Sequence, residues 1–258
     1  MKLKKILKKI FLPKTFEDKL IETKQNLEGS IMLFDKSFKY HFGLAFYVTY
    51  NEIFTDGIYE FETQNPTPKI IDCGANMGLS LLYFAKKYPN ATILAFEPDQ
   101  SVLPILEENI KTQDLKNVKL FKKAVWTSET ELQFFTDNGM GGRIDNAYEN
   151  QTPTLIKTVK LSEYLNKKID FLKIDIEGAE YEVLKDCEQN LKNVDKIFVE
   201  YHSEEKKEQH LDEILSILKR AGFRYHLRES FSRKKPFVEK TIICERFDMA
   251  INIFAYKN

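Results

Sequence analysis

Carboxylates and one histidine follow three apolar segments of the sequence, at positions where buried strands are expected to end. Glu97 follows the first of these segments, Asp175 and Glu177 follow the second, and Glu200 and His202 close the third. A carboxylate after a strand can accept both hydroxyl hydrogens of a ribose. A histidine has a pKa near neutrality and can act as a general base. These residue types indicate a nucleotide-like ligand beside a site of proton transfer, although a lone histidine or a helix-terminal acid is also common in purely structural roles.

A glycine turn supplies the second chemical signal. A short apolar segment containing Asp72 leads into Gly74 and Gly78, with Ala75 and Asn76 between them. The glycines allow a sharp bend and a close ligand approach, and the helix that follows begins with unpaired N–H groups. The spacing is GxxxG and lacks the extra glycine of a dinucleotide-binding GxGxxG motif. The turn alone is therefore a weak signal for a nucleotide-like cofactor.

Two further features remain open from the residues alone. Asp175 and Glu200 would be able to hold a divalent metal, but no tight ligand cluster is evident, so no metal site is expected. Arg143 lies in a glycine-rich segment, residues 137–153, that is expected to be a long loop. That arginine would pair with a carboxylate or phosphate of a substrate, or the segment is an ordinary surface loop.

The elements that must position these residues alternate between strand and helix from Lys69 onward. This order predicts an α/β fold with a mainly parallel sheet and helices on both faces. Ligands in such sheets bind at the carboxyl ends of the strands, so the turn and the acids are expected to line one crevice. Residues 1–50 are expected to form a cap of helices and short strands, and residues 51–258 the main domain; the aromatic stretch from Ile31 to Thr49 favours strands.

Composition limits the classes of partner. The chain has 258 residues, 43% of them hydrophobic, and equal numbers of basic and acidic residues, 39 each, so a nucleic-acid partner is not expected. Three widely spaced cysteines form no CxxC pair, which fits a reducing compartment and a cytoplasmic location. Residues 1–12 show a basic amphipathic pattern, which predicts contact with the inner membrane surface, with the domain, or with a second subunit in a homo-oligomer.

Four stretches together resemble the FkbM-type S-adenosylmethionine-dependent methyltransferases. They are Ile71-Asp72-Cys73-Gly74-Ala75-Asn76-Met77-Gly78, Ala95-Phe96-Glu97-Pro98-Asp99, Asp170-Phe171-Leu172-Lys173-Ile174-Asp175-Ile176-Glu177-Gly178-Ala179-Glu180 and Val199-Glu200-Tyr201-His202. The resemblance covers roughly residues 52–227, and the acidic third stretch is its most specific part. It implies a Rossmann-like class I sheet of seven strands with an antiparallel last strand. It also implies methyl transfer to oxygen, commonly on sugars or natural products.

The resemblance also implies roles for single residues. The backbone from Gly74 to Gly78 would meet the methionine part of S-adenosylmethionine, with Asp72 orienting that loop or approaching the cofactor ammonium through water. Glu97 would take the ribose hydroxyls and Ala124 would line the adenine pocket.

The acids and the histidine would then serve the methyl acceptor. Asp175 would lie near the sulfonium and the substrate, Glu177 and Arg143 would contact the substrate, and His202 with Glu200 would remove a proton.

The expected acceptor is a carbohydrate or another small molecule. Three other classes remain open: a nicotinamide oxidoreductase, a non-catalytic S-adenosylmethionine-binding partner subunit, and an RNA methyltransferase. The missing GxGxxG spacing disfavours the first, and the zero net charge disfavours the last.

Overall fold

The structure is a computed structural model that describes residues 15–136, 152–231, 233, 235–239 and 247–257, with residues 142–144 as backbone only. The predicted amphipathic helix of residues 1–12 lies outside this part of the chain and stays a prediction. Within the described residues, none of the helices has the length and apolar character needed to cross a membrane.

The N-terminal cap combines helices with a β-hairpin. Its elements are α1 (Phe16–Thr23), β1 (Gly29–Leu33), β2 (Lys36–Tyr40), α2 (Gly43–Tyr50) and a π-helical turn (Asn51–Thr55). The hairpin confirms the prediction of short strands, but the prediction of strand around Phe46 and Val48 is wrong. Helical spacing places Phe46 and Tyr50 on one face, where Phe46 stacks on Tyr40 with ring centroids 5.0 Å apart.

The main domain alternates strands with helices. In chain order its elements are β3 (Lys69–Cys73), α3 (Leu79–Lys87), β4 (Thr92–Phe96), α4 (Leu103–Thr112), β5 (Val118–Phe121), β6 (Ala124–Trp126), β7 (Glu131–Thr136), β8 (Gly142–Ile144), β9 (Thr154–Lys160), β10 (Ile169–Ile174), α5 (Glu180–Cys187), β11 (Val194–Glu204), α6 (Leu211–Arg220), β12 (Arg224–Glu229) and β13 (Phe247–Tyr256).

Seven of these strands form the central sheet in the order β12-β13-β11-β10-β3-β4-β5. Strands β11, β10, β3, β4 and β5 run parallel, and the last strand of the chain, β13, runs antiparallel to both neighbours. This confirms the Rossmann-like class I sheet. Because β3 lies between β10 and β4, the glycine turn after β3 is flanked by the acids that follow the other two strands.

A second, smaller sheet has the order β6-β9-β7-β8. The polar pair Lys122 and Lys123 separates β5 of the central sheet from Ala124–Trp126. The chain then forms β6, which pairs with β9 of the small sheet. The small sheet therefore brings Ala124 alongside the end of β4 without extending the central sheet.

The cap shares its core with the central sheet. Phe46 and Ile53 of the cap belong to the same buried cluster as Phe198 of β11. In the segment between the cap and β3, Tyr59 packs edge-on against Phe198, and Phe61 stacks on Phe171 of β10 with ring centroids 4.9 Å apart. The predicted division between residues 50 and 51 falls where α2 passes directly into the π-helical turn. This continuous segment lies over the carboxyl ends of the strands, where its side chains line a cavity with those of β10 and β11.

Candidate active site

Two cavities meet at the carboxyl ends of β3, β4, β10 and β11. The first, the nucleotide cavity, is lined by residues after β4, β5 and β10, including Glu97 and Ala124. The second, the acceptor cavity, has a volume of about 320 Å³ and lies between the cap and the ends of β10 and β11. The cavities share four lining residues: Gly74, Asn76, Asp175 and Glu177.

The glycine turn sets the closest approach between two neighbouring loops. Gly74 has φ +89°, and a Cβ built there would lie 1.9 Å from the carbonyl oxygen of Asp175. Only glycine fits this contact, because any side chain would collide with a neighbouring backbone. Gly78 also has a positive φ, and its added Cβ would meet Leu106 at 2.9 Å. Gly78 is not among the described residues that line the two cavities, so its visible role is helix packing.

The N–H groups of the glycine turn itself are paired within the protein. Those of Gly74 and Ala75 both donate to the carbonyl oxygen of Phe96, and that of Asn76 donates to Glu97. The next two, of Met77 and Gly78, donate to acceptors within the turn. The turn therefore offers shape and a rigid wall to a ligand, and its own donors hold β3 to β4.

Glu97 is placed as predicted for a ribose acceptor. It lines the nucleotide cavity, its side chain is largely buried, and its two carboxylate oxygens accept the N–H groups of Asn76 and Asp99. Burial raises the pKa of Glu97 to about 7, against the opposing effect of those two N–H donors. Each oxygen keeps a lone pair for a ligand hydroxyl. Ala124 lines the same cavity beside apolar side chains, as an adenine ring requires.

Asp72 is held by buried polar contacts next to the glycine turn. It is fully buried, accepts a hydrogen bond from Ser80 and forms an ion pair with Lys173. Asp72 is not among the described residues that line either cavity, and its role in orienting the loop stays a prediction.

Lys173 was missed in the sequence analysis. Its Nζ lies 3.3 Å from Asp72, lies 3.1 Å from Asp175 and donates to the carbonyl oxygen of Gly74 at 2.7 Å. Burial alone would lower the pKa of Lys173, but the two aspartates raise it well above its usual value. The available signal was a lysine near the end of a predicted buried strand, a position that needs a buried partner.

His202 lies at the centre of a group of carboxylates. Its Nδ1 is 3.3 Å from Glu180, and its Nε2 is 3.7 Å from Glu177 and 4.0 Å from Glu200. Glu180 also accepts the N–H groups of Ile176 and Gly178, so it fixes both the loop and the ring. The predicted set of His202, Asp175 and Glu200 does come together and lines the acceptor cavity.

The charges change the expected state of His202. Burial by itself would lower its pKa, but the carboxylates of Glu177, Glu180 and Glu200 raise it well above the ordinary value. Burial raises the pKa of Glu200, with a further contribution from Asp175. The surrounding carboxylates thus favour the protonated imidazole, which opposes the general-base role predicted for His202; that role stays a prediction. Glu200 has gained basicity instead.

Three of these residues also form a tight ligand set. One donor atom each from Asp175, Glu200 and His202 lies within 4.8 Å of the others. The expectation that no tight cluster exists is therefore wrong, because adjacent parallel strands β10 and β11 end side by side and bring distant residues together. Two carboxylates and an imidazole are a donor set that many divalent metals accept.

Glu177 and Arg143 were predicted to contact substrate. Glu177 lines both cavities and has φ +57°, an unusual conformation for a non-glycine residue. Burial and the surrounding carboxylates raise its pKa to about 8, against the opposing charge of His202. Arg143 lies in β8, but its side chain falls outside the described residues, and its role stays a prediction.

The fold and the residues present fit S-adenosylmethionine. The nucleotide cavity has a buried carboxylate for the ribose and apolar walls for the adenine, and Gly74 lines it beside the backbone of Asp175. The carboxylates of Asp175 and Glu177 at the junction of the cavities suit a sulfonium cation. Together the sheet and this site define an S-adenosylmethionine-dependent methyltransferase.

The chain belongs to the FkbM methyltransferase domain family, whose model matches residues 72–225. It is similar to the methyltransferase sdnD of Sordaria araneosa, with 30% identity over 176 residues, 54% of this chain and 68% of that relative. It is also similar to the 2-O-methyltransferase NoeI of Sinorhizobium fredii, with 25% identity over 55% of this chain and 66% of that relative. The chain thus spans about two thirds of the length of these curated relatives.

A solved structure of an FkbM methyltransferase from Methylobacillus flagellatus aligns at a TM-score of 0.47 and 18% identity. The alignment covers 78% of this chain and 46% of that one.

Proposed function

We propose that this protein transfers the methyl group of S-adenosylmethionine to a hydroxyl oxygen of a sugar or another small metabolite. The observation that carries the proposal is the position of Glu200 and His202. Both line the acceptor cavity close to Asp175, at the boundary with the nucleotide cavity. An alcohol must lose its proton as its oxygen is methylated, and a buried carboxylate beside an imidazolium is suited to that requirement.

When bound, S-adenosylmethionine supplies an electrophilic methyl group. The protein then has to align the acceptor and manage one proton. Glu200 accepts the hydroxyl proton, because its raised pKa makes it a stronger base than an exposed carboxylate. The hydroxyl of Ser230 donates to Glu200 at 2.6 Å and holds its orientation. His202, fixed by Glu180, stabilises negative charge on Glu200 and on the acceptor oxygen.

The relative NoeI is named as a 2-O-methyltransferase, which supports oxygen as the acceptor atom. The experiment combines calorimetry with S-adenosylmethionine and transfer of a labelled methyl group from it to components of a metabolite extract. We expect binding, and a labelled product whose methyl group resists ester hydrolysis and is released by ether cleavage. Absence of both binding and labelling would overturn the proposal, and label on nitrogen or carbon would overturn its choice of oxygen.

The same experiment separates the other classes. Tight binding of NADH, together with no binding of S-adenosylmethionine, would indicate an oxidoreductase. Normal S-adenosylmethionine binding without transfer to any extract component would indicate a non-catalytic subunit. The contacts of Glu97 and Gly74 are compatible with S-adenosylmethionine binding both in an active methyltransferase and in a non-catalytic subunit. Turnover is therefore the measurement that distinguishes the two.

A further inference from the structure

One face of the cap helix presents apolar side chains to the acceptor cavity. Leu44 and Val48 are four residues apart on α2, so they lie on one face, and both line the cavity. They are 43% and 36% exposed, although they belong to a helix whose other face is packed in the core. Phe231, 42% exposed, lines the same cavity from the segment after β12.

Single exposed apolar residues are normal on protein surfaces. These three differ because they line one cavity from two separate elements, which leaves a concave apolar surface without a partner among the described residues. Ligand cavities typically have such walls with a few polar groups at one end. The apolar surface is therefore a part of the binding site that the proton-transfer residues do not use.

Glu52 lies at the polar end of the acceptor cavity. It continues the same helical face one turn beyond Val48, lines the cavity, and interacts electrostatically with Glu200 and Asp175. Leu44 is eight residues away from Glu52, about 12 Å along a helix at 1.5 Å per residue. The cap helix therefore runs from an acidic end beside the proton-transfer residues to an apolar end.

We infer that the methyl acceptor is an amphipathic compound, with its hydroxyl at the acidic end and a hydrocarbon chain or ring covering Leu44, Val48 and Phe231. This inference rests on the proposed function and narrows its acceptor class. A freely soluble sugar without an apolar substituent leaves the cap face uncovered. An acceptor with a chain or ring buries it, and each methylene removed from water should tighten binding by about fourfold.

The test uses straight-chain alcohols, because they carry one hydroxyl and differ only in apolar length. The protein is saturated with S-adenosylhomocysteine, and 1-propanol and 1-heptanol are titrated by ligand-observed NMR. We expect heptanol to bind at least about tenfold more tightly, since burial of two further methylenes already supplies that factor. Equal affinities would overturn the inference.

A double variant locates the binding. Leu44→Asn with Val48→Asn should remove the gain of heptanol over propanol and leave the affinity for S-adenosylhomocysteine unchanged, because both side chains are partly exposed and neither lines the nucleotide cavity. Leu155→Asn is the control, since Leu155 is 69% exposed and outside the cavity, and it should keep the gain.

If 1-heptanol still binds more tightly than 1-propanol to the double variant, the inference is also overturned. Failure to bind S-adenosylhomocysteine would count against the proposed function itself. Normal binding of S-adenosylhomocysteine without a chain-length effect would remove only the amphipathic acceptor.

Discussion

The backbone N–H of Asn76 donates a hydrogen bond of 2.8 Å to the carboxylate of Glu97. This contact joins the glycine turn after β3 to the end of β4. Because the other carboxylate oxygen accepts the N–H of Asp99, both carboxylate oxygens of Glu97 are held in the wall of the nucleotide cavity. The residue expected to recognise a ribose thus also sets the shape of the turn.

Glu97→Gln should weaken S-adenosylhomocysteine binding by about 10- to 100-fold, since hydrogen bonds to a charged group contribute about 1.5–3 kcal/mol. The amide also places a donor where Asn76 or Asp99 already donates. Calorimetry at pH 8 measures the change, and Glu107→Gln on the exposed face of α4 is the control. An unchanged dissociation constant in Glu97→Gln would remove the residue from the cofactor site.

Binding should also depend on pH through Glu97, whose pKa is raised to about 7 mainly by burial. Ribose hydroxyls require the ionised carboxylate, so below pH 7 binding must displace a proton. The dissociation constant of S-adenosylhomocysteine should rise by up to about tenfold per pH unit below 7 and level off above it. Calorimetry from pH 5.5 to 8.5 checks this, and a flat profile in the wild type would contradict it.

The free energy of unfolding should change with pH in the opposite direction to S-adenosylhomocysteine binding. The folded-state pKa of Glu97 lies above its unfolded value, so the contribution of this group is most favourable below pH 4.5 and is lost as pH rises through about 7. The Glu97→Gln variant has no carboxylate to titrate at this position, so its dissociation constant for S-adenosylhomocysteine should not change between pH 5.5 and 8.5.

His202→Ala and Glu200→Gln should each reduce turnover by about 10²- to 10⁴-fold, the range of general acid–base catalysis. Neither residue lines the nucleotide cavity, so S-adenosylhomocysteine should bind within about threefold of wild type. Product formation and calorimetry on the same samples separate the two effects. Wild-type turnover in either variant would exclude that residue from proton transfer.

Lys173→Met should destabilise the protein by about 3–5 kcal/mol, because it leaves the buried charge of Asp72 without its partner. Chemical denaturation measures the loss. Lys168→Met is the matched control: it breaks an ion pair with Asp195 in which the lysine side chain is 67% exposed, and should leave the free energy of unfolding close to that of the wild type. Adding Asp72→Asn should recover part of the Lys173→Met loss. Equal effects of both lysine substitutions would contradict the buried ion pair.

Gly74→Ala should abolish cofactor binding and destabilise the fold, since its Cβ would lie 1.9 Å from the carbonyl oxygen of Asp175. Gly222→Ala is the control, because Gly222 has φ +87° but no atom within 4 Å of an added Cβ. It should show only the backbone strain, about 1 kcal/mol. Thermal denaturation and calorimetry separate close packing from strain, and similar losses in both variants would argue against the contact with Asp175.

The sequence by itself determined the sheet, the glycine turn and the identity of most candidate residues. Alternation of apolar segments with helical patterns is a local property, and the rule for parallel strands places Glu97, Asp175 and Glu200 at one edge of the sheet. The strand predicted around Phe46 failed because aromatic residues suit both structures, and packing against Tyr40 decided for a helix.

Only the tertiary structure decided the electrostatic surroundings of His202 and the apolar face that the cap helix presents to the acceptor cavity. The protonation of His202 depends on Glu177, Glu180 and Glu200, which reach it from two neighbouring strand ends. The exposed face of Leu44 and Val48 is indistinguishable in sequence from an ordinary helix surface. Electrostatic coupling and cavity shape depend on distances between segments far apart in the chain, and local sequence pattern does not contain those distances.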